Sequence, residues 1–196
     1  MTLRCSAVAI GYVHTLNKKL AKAKDAGNHA DVTRLEAELA AVGGIDAYQQ
    51  CSLKSEALGV TNTSRWVVKQ LKENDLHTPE GRKLRFDSED PLSLLDVGAL
   101  STNYTYEAKW IAPTAIDLNS QHSAVEQLDF FDLSEKRRFQ IISLCLVINF
   151  VPNPVQRGAM LLKCHRHLLD NGLLAVMTPK ACVENSRYTT TDSFVA

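Results

Sequence analysis

The segment Leu92-Ser-Leu-Leu-Asp-Val97, followed at once by Gly98-Ala-Leu-Ser101, is the place from which the architecture of this chain can be worked out. A short apolar run between breakers, here Pro91 and Gly98, reads as a strand buried on both faces. Three further runs of the same kind follow, at 115–118, 139–148 and 173–177. Between the last two the period changes: residues 154–169 place Met160, Leu161, Cys164 and Leu168 on one helical face, and Asn171-Gly172 provides a stop. Apolar strands interleaved with a helix predict an α/β domain built on a parallel sheet.

Upstream the grammar is different. Residues 15–42 are rich in Lys, Ala, Glu and Leu, with a weak point at Gly27-Asn28, and they predict one helix or two. Val32, Leu35, Leu39 and Val42 form an apolar stripe, and Gly43-Gly44 ends the pattern. The plain reading is a solvated helix that packs this stripe. The alternative is an arm for a partner or for RNA, with Lys18, Lys19, Lys22 and Lys24 as its charge. Residues 64–72 predict another helix, with Trp66, Val67 and Leu71 on one side. Residues 73–90 are charged, carry Pro79-Glu80-Gly81 as a turn, and read as a linker. The expected organisation is therefore a helical extension and linker over 1–90 and a Rossmann-like domain over 91–196.

Composition sets bounds on function. A chain of 196 residues with 45% apolar content suits one principal core. Its 22 basic and 22 acidic residues cancel, so no global positive field draws it to a phosphate backbone, and any nucleic-acid contact must be local. Five scattered cysteines, Cys5, Cys51, Cys145, Cys164 and Cys182, contain no CxxC pair and predict reduced thiols in an intracellular protein. The apolar stretch from Ala7 to Val13 lacks a cleavage site, and the longest uninterrupted apolar run falls far short of the roughly 18 residues that span a bilayer. No membrane partner is expected.

Chemistry is sought where each strand ends, because ligands of open parallel sheets lie beyond the carboxyl edge. Gly98 permits close backbone approach after the first strand, but Leu100 takes the place of the second glycine of G-x-G-x-x-G, which disfavours a dinucleotide. Asp117 stands 19 residues after Gly98, the separation at which a carboxylate takes ribose hydroxyls in nucleotide-binding units. Its other reading is a helix cap before Leu118-Asn119-Ser120. Asp129-Phe130 offers a carboxylate for an adenine amino group and a ring for the base. Asn149-Phe150-Val151-Pro152 joins an amide that both donates and accepts to an aromatic and a stiffening proline, suited to a flat base or to an ordinary strand end. Cys164, His165, His167 and Cys182 do not have zinc spacing, so no metal is expected, and Cys145 lies in an apolar strand where a thiol is inert.

In combination these stretches are specific. Asp96-Val-Gly-Ala-Leu-Ser101, Ile116-Asp-Leu-Asn-Ser120, Asp129-Phe130, Ser143-Leu-Cys-Leu-Val-Ile-Asn-Phe-Val-Pro152, Gln156-Arg-Gly-Ala-Met160, Asn185-Ser-Arg-Tyr188 and the earlier Gly43-Gly-Ile-Asp-Ala-Tyr48 together resemble the fungal 25S rRNA adenine-N1 methyltransferase family. The resemblance implies a class I methyltransferase sheet, S-adenosylmethionine as cofactor, and N1 of a large-subunit rRNA adenine as acceptor. It implies rRNA within the pre-ribosomal large subunit as partner, and residence in the nucleolus. Gly98, Asp117, Asp129 and Phe130 would bind the cofactor, and Asn149, Phe150 and Pro152 would form the catalytic surface at the target base. Gln140 stands where the family usually has Asp, and Cys145 where Ser is common. The family fold continues past a fifth strand with a helix and an antiparallel hairpin, so the expectation is either that the last strands are lacking here or that the sequence is incomplete. Animal relatives serve instead as S-adenosylmethionine sensors in the TOR growth pathway; Asn149-Phe-Val-Pro152 sides with the enzymes.

Overall fold

The computed structural model describes residues 7–44 and 63–184, with the isolated positions 50, 186, 190 and 192. Cys5, Cys51 and the Asn185 and Tyr188 ends of the last family motif lie outside the described residues, as does most of the Gly43 to Tyr48 motif. The chain divides into two compact units, one of residues 1–62 with 150–156, the other of 63–149 with 157–196.

In the first unit α1 (Ala7–Asp25) and α2 (His29–Ala41) form a hairpin. The weak point between them is a true break: Gly27 takes a left-handed φ of 64°, and the Asn28 side chain caps α2 by accepting from the Asp31 N–H at 3.2 Å. Leu35 of the predicted stripe is buried with Leu16 and Ala23 of α1, and Val32, Leu39 and Val42 pack around them. Ion pairs of Lys24 with Glu36 and of Arg34 with Asp31 lie outside this seam.

The second unit is the α/β body. Its elements are α3 (Thr63–Glu73), α4 (Pro79–Phe86), β1 (Leu92–Val97), β2 (Ile111–Asp117), β3 (Glu126–Gln127), β4 (Phe139–Cys145), α5 (Pro154–His167, whose first residues belong to the other unit), β5 (Leu168–Met177) and α6 (Lys180–Glu184). The five strands order as β3-β2-β1-β4-β5, and every pairing is parallel. The chain winds outward from β1 to β3, then returns to lay β4 on the other side of β1. This is the mixed α/β, Rossmann-like sheet the sequence led us to expect. Leu92, Leu94, Leu95, Ile141, Ile142 and Leu144 have no exposed surface, as strands covered on both faces require.

Several boundaries differ from the sequence reading. The body begins at Thr63 rather than at 91, because Val67, Val68 and Leu71 of α3 and Leu76 after it are buried in one cluster with Leu92, Leu94 and Ile111 of the sheet. Trp66, assigned to that packed side, is 44% exposed. The presumed linker contains α4, started by Thr78, whose hydroxyl accepts from the Gly81 N–H at 3.0 Å, with a proline in the first turn. β4 stops at Cys145, since Leu146 turns left-handed at φ 60°. α5 gives way to β5 at Leu168, so His167 rather than Leu168 is the buried partner of Met160 and Cys164.

Arg82 of α4 shows how firmly this segment is fastened. It is 5% exposed, and its guanidinium donates to the Leu76 carbonyl at 3.3 Å and twice to the Glu89 carbonyl, at 3.2 and 2.7 Å. Arg82→Ala is expected to lower stability by about 2–3 kcal/mol, through carbonyls left without their charged donor. A urea melt of the two proteins checks it, and an unchanged midpoint would mean that α4 is not part of the cooperative unit.

Candidate functional site

Strand order reverses between β1 and β4, so the crevice beyond their carboxyl ends is where an open sheet of this kind takes a ligand. Gly98 follows β1 there, with φ +73°, a conformation that costs side-chain-bearing residues about 1–2 kcal/mol. Its N–H and that of Ala99 both donate to the Ile116 carbonyl of β2, at 2.9 and 3.0 Å. A Cβ at position 98 would lie 2.5 Å from Cγ2 of Val147, in the loop after β4. Glycine is thus required twice over, by the turn and by the side chain pressed against it.

Asp117 is its lateral neighbour. Val97 pairs in register with Ile116, which sets Gly98 and Asp117 side by side on the carboxyl edge. The carboxylate of Asp117 is half-buried, and one oxygen accepts the Asn119 N–H at 2.8 Å. The cap reading is therefore realised in part, as a two-residue turn rather than a helix start. A carboxylate offers about four lone-pair sites, so such a turn does not exhaust what it can accept.

Asp129 reaches the same edge. The Leu128 N–H donates to the Asp117 carbonyl at 3.0 Å, and Asp129 then caps a short 3-10 turn, accepting from the Phe131 N–H at 2.8 Å. Phe130 behaves differently from the sequence reading. It is 4% exposed, its ring 5.9 Å from that of His167, with the Lys163 ammonium 6.0 Å over its face. Two consecutive phenylalanines in a tight turn cannot both point inward, and Phe131 is the one left 40% exposed. Leu118, 60% exposed beside Asp117, is the other apolar surface here that the sequence reading passed over. Doublets such as Phe130-Phe131 carry the missed signal: one ring goes to the core and one stays at the surface.

Beyond β4 a 3-10 turn covers Ile148–Phe150. Asn149 lies in it, two residues after the Val147 that abuts Gly98. Its Oδ1 is buried and has no hydrogen-bond partner among the described residues. Phe150 and Pro152, both half-buried, fall in the other unit, whose boundary runs between Asn149 and Phe150. The body thus brings together Gly98, Asp117, Asp129 and Asn149, while Phe130 supports them from within.

The floor of the crevice is polar and buried. Tyr104, 1% exposed, donates its hydroxyl to Ser143 at 3.1 Å, and burial, reinforced by the charge of Asp96, pushes its phenol well above the ordinary range. Burial also raises the Cys145 thiol, which keeps it protonated and inert as a nucleophile. Gln140 ties the sheet together: its Oε1 accepts the Ser93 N–H at 2.8 Å. Among the described residues no group of three His, Cys, Asp or Glu is placed to hold a metal ion, and no helix is long and apolar enough to cross a membrane.

Over 165 residues the chain is 32% identical to the 25S rRNA adenine-N(1) methyltransferase of Schizosaccharomyces pombe, covering 80% of this chain and 58% of that protein. It is 29% identical over 190 residues to the 25S rRNA (adenine(2142)-N(1))-methyltransferase of Saccharomyces cerevisiae, covering 90% and 52%. The chain therefore spans little more than half the length of these curated relatives. Among solved structures, the sugar N-methyltransferase KedS8 from Streptoalloteichus sp ATCC 53650 aligns with a TM-score of 0.40 and 18% identity, over 52% of this chain and 46% of that one. The family model described as Bmt2, 25S rRNA (adenine(2142)-N(1))-methyltransferase, matches residues 33–196, and the chain belongs to that family.

Proposed function

We propose that this chain carries the S-adenosylmethionine site and target-base site of an rRNA adenine-N1 methyltransferase, acting on the large ribosomal subunit. The observation that carries the proposal is the buried Oδ1 of Asn149, which has no hydrogen-bond partner among the described residues and lies two residues after the Val147 that abuts Gly98. Such an acceptor costs about 1–3 kcal/mol while it lacks a donor. The exocyclic amino group of an adenine is a donor of the right kind, and the base edge that bears it also presents N1.

The residues fit the cofactor on structural grounds. Gly98 makes the left-handed turn at the carboxyl end of β1 without a side chain, and the Asp117 carboxylate one strand away can accept from a ribose diol. Phe131 and Leu118 are the exposed apolar surfaces available to its adenine, with Asp129 at hand for the amino group. When bound, S-adenosylmethionine supplies a methyl group on a sulfonium, and transfer leaves a neutral thioether. Adenine N1 carries its own lone pair, so the chain need not remove a proton to activate it. What remains for the protein is positioning: Asn149 holds the base edge, and Asp117 beside the Gly98 turn holds the donor. The target base must leave its stack to reach this edge. Nucleolar residence belongs to the same proposal, since large-subunit rRNA is matured there.

Asp117→Ala is expected to weaken S-adenosylmethionine binding about ten- to hundredfold, through loss of charge-assisted bonds to the ribose. Calorimetry reads this, and equal affinity would remove Asp117 from the site. The function itself is tested by incubating the chain, S-adenosylmethionine and unmethylated 25S rRNA, then extending a primer across the product. A methyl on adenine N1 blocks pairing and stops the polymerase, so a new stop at one adenine is expected. Cofactor binding with no stop would favour the sensor reading instead.

A further inference from the structure

Outside the crevice, described residues of the body line an open groove of about 490 Å³ along α3. Arg65, Val68, Lys69, Lys72 and Glu73 of α3 line it together with Tyr106. We propose that this groove takes the single-stranded RNA flanking the target adenine, an inference that rests on the rRNA reading above. The direction of α3 is the first argument. At its start Thr63 lies near the Cys145 thiol, at the carboxyl end of β4. Near its finish Lys72 pairs with Glu107, which accepts from the indole of Trp110, and the Trp110 carbonyl receives the Leu92 N–H at the amino end of β1. The helix therefore runs down the sheet from the edge where the crevice opens, and the groove leads away from that edge.

Its chemistry is the second argument. Arg65 and Lys69 are one helical turn apart, about 6 Å along the axis, on one face of α3. Lys69 meets Glu73 only at 3.6 Å, with both side chains more than half exposed, a pair that a polyanion displaces easily. Lys72 is held at 2.6 Å by Glu107 and lies 5.8 Å over the Trp110 ring, so it shapes the wall rather than serving a phosphate. Tyr106, 56% exposed, adds an aromatic ring to the same groove, and Trp66, three residues before Lys69 on α3, is 44% exposed. Cations that track a backbone, with aromatic rings interleaved to stack bases, are the recurring solution for unpaired nucleic acid. An acidic peptide would satisfy the cations and leave the rings unused.

The test uses the intact 196-residue chain and a labelled 12-nucleotide single-stranded RNA containing adenines, followed by fluorescence anisotropy over a range of salt. Arg65→Ala with Lys69→Ala is expected to weaken binding roughly tenfold at low salt and to flatten the slope of log K against log salt by about 1.4, two phosphate contacts at 0.7 each. Tyr106→Ala is expected to weaken binding by roughly tenfold through lost stacking, while Tyr106→Phe keeps it. S-adenosylmethionine affinity should be the same in all three variants, which shows them folded. If the parent chain binds RNA and the variants bind it equally, the groove is not the path, though the rRNA reading stands. If polyglutamate displaces the RNA as well as RNA itself does, the groove is only an anion surface and the proposal fails. If the parent binds S-adenosylmethionine but no RNA at any salt, the rRNA reading falls and the groove with it.

Discussion

Gly98→Ala is expected to lower stability by about 2–4 kcal/mol and to abolish measurable cofactor binding. Two separate penalties add. The left-handed φ of +73° disfavours any Cβ, and this particular Cβ would meet Cγ2 of Val147 at 2.5 Å. Relief of the contact must displace either the Val147 loop or the turn itself, and the turn is held by two N–H groups on the Ile116 carbonyl. The penalties can be separated by experiment. Val147→Ala in the Gly98→Ala background removes the methyl that clashes and leaves the backbone strain, so urea melts should recover the overpacking part alone. Additive effects of the two substitutions would mean that residues 98 and 147 are not in contact.

Asn149→Leu should separate stability from function in the opposite sense. The buried Oδ1 has no partner among the described residues, so an apolar side chain of similar volume is expected to leave stability unchanged or raise it by about 1 kcal/mol. Single-turnover methyl transfer to rRNA is expected to slow by about a hundredfold, the scale on which a misplaced reactant slows a positioned reaction. Cofactor affinity should stay within twofold, because Asn149 addresses the base and not the donor. A variant that is both destabilised and fully active would show that the amide serves the fold.

Much of this arrangement could be read from the chain, for physical reasons that particular elements make plain. β1 and β4 are buried on both faces, so they show as mainly apolar runs; Gly98 follows from the end of β1 and Asp117 from the end of β2. β2 was recognised only over its second half. Its first residues, Ile111-Ala-Pro-Thr114, include a proline that cannot donate to the ladder and an exposed alanine, which conceal a strand paired from Leu92↔Ile111 onward. β3 is two exposed polar residues and has no apolar signature. α4 was hidden by Pro79-Glu80-Gly81, which reads as a turn, yet Pro79 fits a first helical turn, and a Cβ at Gly81 would stand 2.1 Å from the Asp75 carbonyl oxygen. Glycine there serves close packing rather than chain reversal.

The site was legible in the same uneven way. Gly98, Asp117 and Asp129 are fixed by local turns, and position in sequence was enough to bring them to one edge. Phe130 and Phe131 could not be told apart, because which ring faces inward depends on His167, brought by a helix more than thirty residues later. The value of Asn149 lies in what its oxygen lacks, and only the packed structure shows that.

The pairing of a sugar with the Asp117 carboxylate is best tested by titrating the intact chain and Asp117→Ala with S-adenosylhomocysteine and with its 2′-deoxy analogue. Loss of the hydroxyl is expected to weaken binding to the intact chain about tenfold, one charge-assisted hydrogen bond, and to leave the variant indifferent to which compound it is given. An equal loss in both proteins would place the ribose somewhere other than the carboxyl edge of β2, and would contradict the account.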